Sequence, residues 1–262
     1  MFPTIASILA SVLYCLSAYL IFKQLDSQAQ NRWIPLAPAL AAMILHALLL
    51  NHLIYQPVGL NLGFFIAFSL VNWLVSVQIL LSSIFRRIES LGIAVFPMSG
   101  LASIFTIFHF SDPVVIIGDN SLQGHIMISV VAYSLIMLGA IQALLLAYQD
   151  YSIRTHNPGG FIRYLPPVHD METLLFQFLG FGFVCLSASL LTGFLFLEDI
   201  FAQHLVHKTV LSIVAWFILA VLLFGRFQFG WRGKTAIRWT LSAFAFLMLA
   251  YFGSKLVLEF IL

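Results

Sequence analysis

Charge is what this sequence most lacks. Asp, Glu, Lys and Arg make up 8% of its 262 residues, against about 25% in an average soluble domain. A chain of this size folding in water would need far more charge on its surface. Its exterior is therefore expected to face lipid. The formal net charge is only +2, with no basic tract, so no nucleic-acid partner is expected. Cysteine is scarce as well. Cys15 and Cys185 lie in separate apolar runs and form no CxxC pair. That argues against thiol–disulfide exchange and a Cys-rich metal site, and both are read as small buried apolar residues.

Catalytic signatures are missing too. The sequence has no HExxH, no phosphate-cradling glycine loop and no recognisable nucleophile–base pair. Enzyme activity is not expected. The apolar runs are also nearly empty of ionisable side chains. Lys255 is the exception, and a lysine near a helix end can snorkel to the interface. Ion-coupled transporters usually keep a carboxylate or a base near the membrane centre, so a small-molecule transporter is the least favoured reading.

Long apolar runs are abundant. A membrane span needs about 20 such residues, because an α-helix rises about 1.5 Å per residue through about 30 Å of hydrocarbon. Eight segments qualify: 2–22, 33–54, 62–82, 91–108, 124–148, 173–197, 209–227 and 236–260. They are apolar all round rather than alternating, which excludes barrel strands. Helices also satisfy their own backbone hydrogen bonds, as lipid demands. The expected fold class is all-α: a polytopic membrane bundle of about eight helices, forming a single membrane domain over 1–262. The first run lacks a preceding basic region and is too long for a cleavable signal, so it reads as the first helix. Pro97 in the fourth run marks a place for a kink.

Basic residues set the expected orientation. Ten of the 12 Lys and Arg fall in the odd-to-even connections: Lys23, Arg32, Arg86, Arg87, Arg154, Arg163, Arg226, Arg232, Lys234 and Arg238. That side is expected to be cytoplasmic, which puts both termini on the outer, periplasmic side. Trp33, Trp231 and Trp239 fit an aromatic belt at the same interface. Asn72 and Gln78 in the third run suit interhelical hydrogen bonds.

The histidines follow the opposite pattern. His156 and His169 fall in the basic connection between runs five and six. The other six, His46, His52, His109, His125, His204 and His207, fall in the outer half or outer connections. Neutral imidazole costs less near lipid than a charge and ligates iron, copper and zinc. Histidines around an apolar bundle suit a flat, apolar macrocycle with an iron centre, and Lys208 beside His207 suits its propionates. Two readings stay open for each histidine: a metal ligand, or a side chain hydrogen-bonded at the interface or between helices. His46 is deep enough to need a partner of one kind or the other.

Several stretches are shared with a known group. These are Lys208-Thr209-Val210-Leu211-Ser212-Ile213-Val214-Ala215-Trp216-Phe217, then Gly230-Trp231-Arg232-Gly233, then Leu249-Ala250-Tyr251-Phe252-Gly253-Ser254-Lys255, together with His125 followed eight residues later by Tyr133. In these the chain resembles the cytochrome c assembly family of haem-handling membrane proteins (CcsA-, CcmC- and HemX-like). The resemblance extends over nearly the whole chain. It implies haem, here haem b, held at the outer face of the bacterial inner (cytoplasmic) membrane for delivery towards apocytochrome c. The implied partners are haem, membrane lipid and other cytochrome c maturation proteins. His125 matches a family haem-ligand histidine at the start of its helix. With His207 it forms the expected axial pair, with His46 as a deeper alternate or relay ligand and Lys208 beside them. The chain departs from the family in two places. Residues 197–207 contain no tryptophan where the family carries a tryptophan-rich WWD segment, and Phe224 stands where some members have a histidine. A membrane scaffold or accessory subunit without haem is the alternative.

Overall fold

The computed structural model describes residues 2–27, 33–56, 59–86, 88–108, 120–155, 165–196 and 203–253. Eight helices among them are long and apolar enough to cross a membrane. Their α-helical parts are α1 (Phe2–Ser27), α2 (Leu36–Ile54), α3 (Phe64–Phe85), α4 (Gly92–Phe105, within the span Glu89–Phe108), α5 (Asn120–Arg154), α6 (Val168–Phe196), α7 (Gln203–Phe229) and α8 (Gly233–Met248, within the span Gly233–Gly253). The expected polytopic helical membrane fold is therefore found. A hairpin of two-residue strands, β1 (Tyr55–Gln56) and β2 (Gly59–Leu60), follows α2. The runs foretold the helices but not their ends. Helix α5 is 35 residues long, well beyond what the hydrocarbon requires. Helix α6 starts at Val168, so Glu172 lies inside a helix and is buried. The spans are thus less empty of charge than the sequence suggested. Pro97 sits within a continuous α4. Residues 254–260 of the last expected run, with Lys255, lie outside the described residues.

The helices form two compact units, α1–α4 and α5–α8. In the first, each helix packs on its chain neighbours, and α4 returns to α1. Helix α1 explains why. Its buried positions, Ala6, Ser7, Ala10, Ser11, Tyr14, Ser17, Ala18 and Ile21, recur every three or four residues, which puts small and hydroxylated side chains on one stripe. The other side carries Ile5, Ile8, Leu9, Val12 and Leu16, all exposed. Lipid makes that outward face stable. Cys15 lies on it, exposed rather than buried as expected, because the bilayer solvates a thiol as well as a core does. A Cβ on Gly100 would come within 3.3 Å of Ser11 Cα, so this glycine lets the α1 and α4 backbones approach.

The unit is joined internally by polar side chains. Ser17 Oγ donates to the Pro35 carbonyl at 2.6 Å, and Trp73 Nε1 donates to the Met43 carbonyl at 2.9 Å. Ser76 and Ser99 hydroxyls meet at 2.6 Å. Without water, these contacts are the main way such groups can be satisfied. Asn72 follows a different course from the interhelical one expected: its Nδ2 donates back to the Phe68 carbonyl of its own helix at 2.9 Å.

The second unit repeats the ring order, with α5 on α6, α6 on α7, α7 on α8 and α8 on α5. Ring contacts and hydrogen bonds run antiparallel along each pair. Ser129 meets Ser189 at 2.7 Å while Gln142 Nε2 donates to the Met171 carbonyl at 3.2 Å. Trp216 Nε1 donates to Ser187 Oγ at 2.8 Å and its ring stacks on Phe183 at 5.4 Å. Helix α8 continues into a five-residue π-turn, Leu249–Gly253. Two residues before it, the Leu247 carbonyl accepts a hydrogen bond from the Tyr133 hydroxyl of α5. An inserted side-chain donor of this kind is a known cause of irregular helix winding.

Candidate functional site

Antiparallel packing of α5 on α6 and of α6 on α7 makes α5 and α7 run the same way. Their N-terminal turns therefore share one end of the second unit, and His125 and His207 each lie in the second turn of their helix. This is the end that collects the expected ligand residues of the unit.

His125 is partly buried. Its Nδ1 lies 3.1 Å from Thr192 Oγ1 on α6. The Thr192 hydroxyl donates along its own helix, to the Ala188 carbonyl at 2.9 Å or the Ser189 carbonyl at 3.0 Å. When its proton is so used, the oxygen can accept from the ring, which puts the ring proton on Nδ1 and the lone pair on Nε2. The helix below is tied down by Ser129, whose hydroxyl donates to the His125 carbonyl at 2.6 Å and meets Ser189 Oγ at 2.7 Å. A ring oriented by a hydroxyl at Nδ1 is an arrangement that metal-ligating histidines adopt.

His207 is exposed, and Lys208 beside it is partly buried. His207 makes no hydrogen bond to any described residue. His46 belongs to the first unit and is fully buried. Its Nε2 is 2.7 Å from Ser69 Oγ on α3 and its Nδ1 is 3.4 Å from the Tyr14 hydroxyl on α1. Both nitrogens are engaged, so the partner it was expected to need is supplied by neighbouring helices. His52 is exposed at the end of α2, edge-on to Phe2 at 5.7 Å. His109, His156 and the side chain of His204 lie outside the described residues. No group of three or more His, Cys, Asp or Glu suited to a metal ion occurs among the described residues. A site built here on iron would rest on histidine pairs, as haem ligation does.

The opposite end of the second unit carries a different device. Glu172 accepts Arg232 Nε at 2.7 Å and the Gly233 backbone N–H at 2.8 Å. Arg232 also donates to His169 Nδ1 at 3.0 Å. Arg226 donates to the Trp231 carbonyl at 3.2 Å and lies 4.6 Å from the centre of the Phe176 ring. Gly230 and Gly233, at φ +65° and +53°, make the turn between α7 and α8. Sequence reasoning missed this clasp because it placed Glu172 outside its span. It also missed Thr192 and Ser189. Their only sequence trace is a pair of hydroxyls one helical turn apart.

Eight apolar helices with buried polar cross-links and apolar outer faces define a polytopic helical membrane protein. The chain belongs to the cytochrome C assembly protein family, whose model matches residues 1–262. It is similar to inner membrane protein YpjD of Escherichia coli strain K12, with 36% identity over 137 residues, 52% of each chain. An uncharacterized 28.8 kDa protein of Azospirillum brasilense is 34% identical over 140 residues, covering 53% of this chain and 52% of its own length. Cytochrome c biogenesis protein CcsA of Chlamydomonas reinhardtii is 21% identical over 180 residues, 65% of this chain and 50% of its own length. The chain spans about half the length of the curated relatives it matches. No solved structure matches it.

Proposed function

We propose that this chain is a haem-handling protein of cytochrome c maturation that holds haem b as cargo at the outer face of the inner membrane. Family membership supports the role in maturation. The inner-membrane location follows the name of the YpjD relative, and the outward orientation follows the basic connections. The observation that carries haem binding is His125, whose Nδ1 is engaged by Thr192 so that Nε2 is left to ligate. His207, at the same end of the α5–α8 unit and without a hydrogen bond to any described residue, would hold the iron with it, and Lys208 would serve the propionates. His46 is assigned instead to holding the first unit together, since ligation would cost it a buried hydrogen bond.

Haem brings its own iron chemistry. The protein's part is to bind it, orient it and pass it on, with no bond made or broken by a side chain. Other cytochrome c maturation proteins are the partners on this reading. The test is the absorption spectrum of purified His125→Ala and His207→Ala variants, with helicity checked by circular dichroism. Each variant should lose or shift the Soret band while staying folded. An unchanged spectrum in both would remove these ligands. A colourless wild-type protein that copurifies with a stable partner would favour the scaffold reading.

A further inference from the structure

The α7–α8 connection brings together an aromatic row and two cations without a partner among the described residues. The row runs Phe224–Phe229 (6.1 Å between ring centres), Phe229–Trp231 (6.4 Å) and Trp231–Trp239 (5.5 Å). Phe224 and Phe229 in it are 61% and 66% exposed, and nearby Phe227 is 91% exposed. Exposed Phe beside half-buried Trp231 and Trp239, at the meeting of two apolar spans, marks the depth of the headgroup boundary. Lys234 and Arg238 lie on α8 at this depth, one helical turn apart on one face, and both are exposed.

The other cations nearby are occupied. Arg232 is held by Glu172, and Arg226 by the Trp231 carbonyl and the Phe176 ring. On α5, Arg154 pairs with Asp150 at 2.9 Å. Lys234 and Arg238 have no ion pair or hydrogen bond with any described residue. Their position does not serve the helix either. They occupy the first two turns of α8, where the dipole disfavours cations, and that first turn holds no acid. Arg154 and Arg226, by contrast, lie in the last turns of their helices.

We infer that Lys234 and Arg238, backed by Trp231 and Trp239, form a binding site for the phosphate of an anionic phospholipid. Charge complementarity selects the headgroup, and the aromatic row places it. Phosphatidylcholine carries its own cation and gains little from the pair. Juxtamembrane cations each add about fivefold to the affinity for anionic lipid at low salt. The effect falls as salt rises. This site is independent of the haem reading and lies at the opposite end of the α5–α8 unit from His125.

The test uses the full chain reconstituted in phosphatidylcholine vesicles containing brominated phosphatidylglycerol or brominated phosphatidylcholine. Quenching of tryptophan fluorescence reports which lipid sits against the protein. The wild type should prefer phosphatidylglycerol. Lys234→Gln with Arg238→Gln should reduce that preference severalfold while circular dichroism shows the helicity unchanged. The charge-matched pair Lys23→Gln with Arg86→Gln should keep it. No preference in the wild type would overturn the site. So would an unchanged preference in the first double variant, or an equal loss in the charge-matched one.

Discussion

His125 Nδ1 lies 3.1 Å from the hydroxyl of Thr192, 67 residues further along the chain. Thr192 thereby orients the imidazole through Nδ1. Partners of this kind change metal affinity by about 10–100-fold when removed. Thr192→Val, which keeps the shape and loses the hydroxyl, should weaken haem binding by about that factor in a haem titration of purified protein. Thr192→Ser should restore most of it. Equal affinity in all three would mean the hydroxyl does not orient the ring.

His46 makes a different prediction. Replacing it with leucine leaves Ser69 Oγ without its 2.7 Å partner inside a dry unit. A buried polar group left unpaired costs about 1–3 kcal/mol, so the thermal midpoint in detergent should fall by several degrees. The haem spectrum should keep its shape. A changed spectrum with unchanged stability would return His46 to the ligand set.

How much of this was legible follows from what lipid demands. The number and rough position of the helices could be read because each span must be long and apolar. Their ends could not, since α5 and α6 continue past the hydrocarbon with polar residues that a hydropathy reading assigns to connections. Which way a residue faces was also hidden. Lipid and core are equally apolar, so Cys15 gave no sign of lying outward. On the site, His125 was readable as a histidine opening a helix. Thr192 was not, because its pairing depends on the register of α6 against α5, which no apolar run encodes. The depth of His46 correctly signalled a need for partners, but not which ones.

That register is itself testable through glycine. A Cβ on Gly182 would lie 2.8 Å from Ile136 Cγ1 and 3.4 Å from the Ile136 backbone nitrogen. At Gly180, two residues earlier on α6, a Cβ would meet nothing within 4 Å. Gly182→Ala should therefore force α5 and α6 apart and cost about 1–3 kcal/mol in thermal unfolding. Gly180→Ala should be neutral or stabilising by up to about 1 kcal/mol, from helix propensity. Equal effects would contradict the close approach of the two helices.

The most direct test of the haem reading is an absorption spectrum of the detergent-purified wild-type protein, oxidised and then reduced with dithionite. Ligation by His125 and His207 predicts a Soret band and sharp α and β bands on reduction, as low-spin, bis-histidine haem gives. No such bands, even after haem is added at low micromolar concentration, would contradict haem binding and leave His125 as a histidine packed against Thr192.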